Sequence, residues 1–93
     1  MKVRVIYQHG EPGVSTSVLA FDDSGRIAES VRTKAHGAAE LPCLRGLKYE
    51  LEAQTLHGRF PWRENILKSS RVPFTCGDSS ATFELVLDHS APF

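Results

Sequence analysis

Apolar and polar residues alternate with a period of two along most of this chain, and turn residues interrupt the alternation at short intervals. That is the pattern of half-buried β-strands. Val3, Val5 and Tyr7 alternate with Lys2, Arg4 and Gln8 until the run His9-Gly10-Glu11-Pro12-Gly13 breaks it. A second strand covers 14–21 and stops at Asp22-Asp23-Ser24-Gly25. A third, 27–34, carries Val31 and Thr33 on one face and meets a turn at His36-Gly37. Residues 38–41 form a short strand closed by Pro42, and Leu44-Arg45-Gly46 turns the chain again. The clearest strand follows: Leu47, Tyr49, Leu51, Ala53 and Thr55 alternate with Lys48, Glu50, Glu52 and Gln54, one face for a core and the other for water. Beyond an irregular stretch at 57–61, an extended segment runs over 62–75. Pro73 places part of it at a sheet edge, because proline cannot donate to a ladder. A turn at 76–80 leads into the last strand, where Phe83, Leu85 and Leu87 alternate with Thr82, Glu84 and Asp88.

Seven short strands in a chain of 93 residues predict an all-β fold, a seven-stranded antiparallel sandwich filling 1–88 as one domain. Residues 89–93 read as a C-terminal tail. The expected core is Val5, Val18, Leu41, Tyr49, Leu51, Phe83, Leu85 and Leu87. No window makes a convincing amphipathic helix. Residues 62–69 come nearest, but proline and β-branched neighbours spoil them. A chain of this length buries only roughly 60–65% of its unfolded surface, so its stability margin is thin and every large core side chain counts.

Charge removes some functions. Eleven basic residues balance eleven acidic ones, whereas a general nucleic-acid binder needs an excess of cations to displace counterions. No nucleic-acid partner is expected. No stretch reaches the ~18 apolar residues of a membrane span, so no membrane insertion is expected either. The first residues, Met1 to Tyr7, read as a strand without signal-peptide anatomy. Either the protein is cytoplasmic or this is a domain taken from a longer chain, and the second is the favoured expectation. Cys43 and Cys76 lack the spacing of a zinc site or a redox pair. They are either two buried thiols or one disulfide. A chain returning antiparallel through 65–75 would bring both to one pole of the sandwich, which favours the bridge.

The middle of the chain resembles the carboxypeptidase-regulatory-like, or transthyretin-like, bacterial domains. The residues concerned are Val18-Leu-Ala-Phe-Asp-Asp-Ser-Gly25, Thr33-Lys-Ala-His-Gly37, Ala39-Glu-Leu-Pro42 and Gly46-Leu-Lys-Tyr-Glu-Leu-Glu-Ala53. Lys34 stands where that pattern usually has Asp, and Ala39 where it has an aromatic. The resemblance covers 14–55 and implies a Greek-key, immunoglobulin/prealbumin-like sandwich, one module of a larger exported or cell-surface protein. The pattern is also similar to the B-type repeats of Gram-positive adhesins, some of which form an isopeptide with the help of a Glu. Ala53 occupies that position here, so no isopeptide is expected between Lys2 and Asp88, although both lie near the expected ends.

Few residues suggest chemistry. Gly77-Asp78-Ser79 is similar to a serine-protease nucleophile motif, but the chain is too short for the two barrels and distant His and Asp that such an enzyme requires. His9, His36, His57 and His89 form no close ligand spacing with each other or with Cys or carboxylates, and Asp22, Asp23 and Asp78 are ordinary turn residues. No catalytic residue, metal or cofactor is therefore expected. The stretch Arg59-Phe60-Pro61-Trp62-Arg63-Glu64 stands apart, with two aromatics and two arginines in an irregular loop. Such a set suits sugar stacking or a protein hot spot. It equally suits a plug for the open end of the sandwich. The reading is a non-catalytic module, a spacer or protein-interaction domain in an extracytoplasmic setting. The alternative is a carbohydrate-binding module using Arg59, Phe60, Trp62 and Arg63. A small transthyretin-like hydrolase ranks last, because its His and Arg signature is missing.

Overall fold

The computed structural model describes residues 1–57, 65–77 and 82–92. In chain order its strands are β1 (Lys2–Tyr7), β2 (Ser17–Phe21), β3 (Ile27–Arg32), β4 (Ala38–Glu40), β5 (Lys48–His57), β6 (Asn65–Lys68), β7 (Val72–Thr75), β8 (Phe83–Leu87) and β9 (His89–Pro92), with a 3-10 turn at Ala35–Gly37. They form two sheets. The smaller has the order β4-β1-β8 and the larger β3-β2-β5-β6-β9, with β7 pairing the other half of the long strand β5. The larger sheet thus has six strands in five positions, since β6 pairs with 54–57 of β5 and β7 with 48–51.

Three sequence expectations need correction. The described strands number nine, not seven. The described part of the segment expected at 62–75 divides into β6 and β7 at Ser69-Ser70-Arg71, where the Ser69 hydroxyl accepts from the Ala53 amide and donates to the Ser70 carbonyl. The sandwich is not wholly antiparallel: β1 runs parallel to β8, from Val3 opposite Phe83 to Tyr7 opposite Leu87. Side-chain alternation has the same period in both ladder types and carries no direction. Finally, residues 89–92 are not a loose tail but pair with β6 as an added strand, from His89 opposite Lys68 to Pro92 opposite Asn65.

The core is formed where the two inner faces meet. Val3 and Val5 of β1, Val18 and Ala20 of β2, Tyr49, Leu51 and Ala53 of β5, Leu85 and Leu87 of β8, Phe74 of β7, and Leu41 are all buried. Phe83 is only half-buried at the rim, where its ring meets that of Phe74 edge-on at 5.6 Å. Pro73 sits as its chemistry demands. Cys76 exchanges hydrogen bonds with Leu47 and Gly46 on the β5 side, so alternation turns the Pro73 nitrogen to the opposite, free side of β7. The β2–β3 hairpin turns at Asp22–Gly25, with the Asp22 carboxylate accepting from the Ser24 amide, the Ser24 hydroxyl and the Arg26 amide. Those bonds hold its carboxyl below the ordinary carboxylate range, the Ser24 hydroxyl contributing most.

Candidate functional site

Two elements leave one border of the sandwich open. β3 pairs only with β2, and β4 only with β1, among the described residues. The two edges come together because the chain passes from β3 to β4 through the 3-10 turn, which is closed by the Lys34 amide donating to the Ala38 carbonyl. Gly37 makes that turn possible. It has φ +70°, and a Cβ there would lie 2.3 Å from the Val5 carbonyl oxygen.

Along this border runs a groove of about 650 Å³. Half-buried Val31 and the buried Val3 and Ala39 lie at its apolar base, and Lys2, Arg4, Arg32, Lys34 and His36 line it with basic groups. Glu40 is its one carboxylate among the described residues, and that group lies 3.7 Å from the Met1 amino group. Lys2, Arg4, Arg32 and Lys34 form no ion pair or hydrogen bond through their side chains among the described residues. Like charges gathered on low-dielectric walls repel one another and raise the local positive potential. A chain with no net charge therefore carries a cationic groove. The signal for it stands in the sequence as Lys2-x-Arg4 and Arg32-x-Lys34, two pairs at the strand period. Total charge averages these pairs away, so they do not stand out in the sequence.

A second cluster lies on the outer face of the larger sheet. Glu52 is 8% exposed although alternation assigns it to water. Gln54 donates to its carboxylate at 2.6 Å, the Arg71 guanidinium lies 3.9 Å from its other oxygen, and that guanidinium stacks over the Phe21 ring at 3.9 Å. Each charge there already has a partner, so the cluster serves to cover the face.

Cys43 and Cys76 are joined by a disulfide, with their Cα atoms 6.1 Å apart. It fixes the β4–β5 crossover to the end of β7, beside a turn in which the Tyr49 hydroxyl accepts from the Leu44 amide.

Of the residues singled out from sequence, Arg59, Phe60, Trp62, Arg63 and Glu64 lie outside the described residues, as do Asp78 and Ser79. Among the described side chains the histidines are not brought together. His9 is exposed, stacked on Tyr7 and 3.5 Å from Glu11; His36 lines the groove; His89 bonds Asp88; His57 ends β5. Among the described residues no group of three or more His, Cys, Asp or Glu gathers as metal ligands, and no helix is long and apolar enough to cross a membrane. Comparison with protein-family models, curated proteins and solved structures finds no match for this chain.

Proposed function

We propose that this chain is a non-catalytic β-sandwich module of a larger extracytoplasmic protein, with an immunoglobulin/prealbumin-like connection of its strands, and that it binds a polypeptide partner in the groove between β3 and β4. The observation that carries this reading is the set of four cations without anionic partners among the described residues, gathered over an apolar floor. Proteins retain such an arrangement at a cost in self-repulsion, and a complementary ligand removes that cost. The disulfide supports the oxidising setting, since such bridges persist outside the reducing cytosol. A carbohydrate partner is the weaker reading for this groove, because none of the described residues lining it is Trp, Tyr or Phe, the flat platforms on which sugars stack.

The test is photo-cross-linking in cells that produce the protein. A photoreactive residue is placed at position 34 in the groove and, as a control, at the exposed position 50 on the outer face of the larger sheet. A discrete polypeptide adduct from position 34 and none from position 50 is the expected outcome. No adduct from position 34, or the same adducts from both, would defeat the proposal.

A further inference from the structure

Resting on the groove's assignment as a polypeptide site, we infer that its occupant is an extended acidic segment that adds to the free edge of β3 as a further strand. Two independent features of the border lead there. The first is charge: Lys2, Arg4, Arg32 and Lys34 present four positive groups against one carboxylate among the described residues, Glu40. A partner that places carboxylates in this groove replaces repulsion with attraction.

The second is the backbone. Thr33 directs both its amide and its carbonyl to the β2 side, donating to the Thr16 carbonyl and accepting from the Ser15 amide. Alternation along an antiparallel strand then points the amides and carbonyls of Ser30 and Arg32 away from β2, to the free edge. A bulge that leaves Ala28 without a partner, between Glu29 opposite Ala20 and Ile27 opposite Phe21, ends the regular edge on one side. The turn at Lys34 ends it on the other. The available edge is therefore short and polar, with the peptide groups of Ser30 and Arg32 open to an added strand among the described residues. Strand addition obtains affinity from main-chain hydrogen bonds and selectivity from alternate side chains. Here alternate residues of the segment fall on the face of the sheet that carries Arg32, and the residues between fall on the face that carries Val31. An acidic polysaccharide would satisfy the charges but leave the peptide groups of Ser30 and Arg32 unused.

The probe is a fluorescein-labelled peptide of alternating Glu and Val, with its Lys–Val counterpart and soluble polygalacturonate as comparisons, measured by fluorescence anisotropy on the oxidised protein. The Glu–Val peptide binds, the Lys–Val peptide does not, and affinity falls as salt is raised from about 20 to about 300 mM, since screening shortens the reach of the charges. Arg32→Glu with Lys34→Glu lowers affinity at least about tenfold, and Lys2→Glu with Arg4→Glu does the same from the opposite wall. All four side chains are exposed, so retained thermal unfolding confirms that each variant folds. N-methylation of alternate amides of the peptide abolishes binding if the segment pairs as a strand. Equal affinity of the reversed-charge variants, tighter binding of polygalacturonate than of the peptide, or indifference to N-methylation overturns the inference. A cross-linked polypeptide at position 34 together with failure of the acidic peptide would overturn this inference alone. Failure of both would remove the groove as a polypeptide site altogether.

Discussion

Thr16 and Thr33 face each other across the start of the β2–β3 ladder, both almost fully buried, and the same substitution has opposite effects at the two positions. The Thr33 hydroxyl accepts from the Thr16 amide at 2.8 Å and donates to the Gly13 carbonyl. The Thr16 hydroxyl is buried with no partner among the described residues. Thr33→Val keeps the shape of the side chain but strands a buried amide and a buried carbonyl. At about 1–3 kcal/mol for each orphaned group, with some relaxation, the loss comes to about 2–4 kcal/mol. Thr16→Val instead replaces an unsatisfied hydroxyl by a methyl and relieves its desolvation, a gain of about 1 kcal/mol. The Thr16 amide remains bonded in that variant. A domain of this size is stable by only about 5–14 kcal/mol, so the first change removes a large share of the total. Urea denaturation followed by far-ultraviolet circular dichroism reads both variants, with the midpoint shifting and the slope unchanged. Destabilisation of the same size in both variants, or a Thr33→Val effect within about 0.5 kcal/mol of zero, would refute this assignment of the hydrogen bonds.

Further consequences follow from the same contacts. Replacing Cys43 and Cys76 by Ser opens a loop with a sequence separation of 33 residues, which costs about 3–4 kcal/mol in the chain-entropy model and about 15–25 °C in Tm. Calorimetry of the oxidised protein against the double variant measures it, and unchanged melting would contradict a stabilising bridge. Gly37→Ala drives a methyl into the Val5 carbonyl oxygen and is expected to cost at least about 3 kcal/mol or prevent folding; a change under about 1 kcal/mol in urea denaturation would show that the turn yields. The Asp22 carboxyl titrates below 3.8 in the folded protein, chiefly through the Ser24 hydroxyl. Because the folded value is depressed, its stabilising contribution is present above the unfolded value and fades as pH falls through and below 3.8. Carboxyl chemical shifts followed by NMR test this, with Ser24→Ala expected to move the midpoint back towards the ordinary value.

How much of this could be read from the chain depends on what each residue faces. β5 was legible over most of its first half, since Tyr49, Leu51 and Ala53 meet the core while Lys48 and Glu50 meet water, although Leu47 just before it is exposed rather than buried. Glu52 broke the alternation because Arg71, nineteen positions away, and Gln54 approach its carboxylate and cover it. Strand direction was not legible, because side-chain alternation is the same in both ladder types, and so nothing in the sequence marks β1 as parallel to β8. β6, β7 and β9 are each four residues long, too short for a period to declare itself; β6 and β7 share the length of β5, and β9 pairs with β6 alone among the described residues. The groove was legible in pieces only. Its cation pairs come from β1 and from the end of β3, and nothing in the sequence says that the 3-10 turn brings those segments to one border.

The proposed binding site is that border, and amide mapping tests it most directly. With the Glu–Val peptide added to isotopically labelled protein, shifts should concentrate at 30–34, 38–40 and 2–4. The free amides of Ser30 and Arg32 should gain protection from hydrogen exchange, while β9 and the outer face of β5 remain unchanged. Shifts centred elsewhere, or a bound peptide that leaves Ser30 and Arg32 exchanging as before, would contradict it.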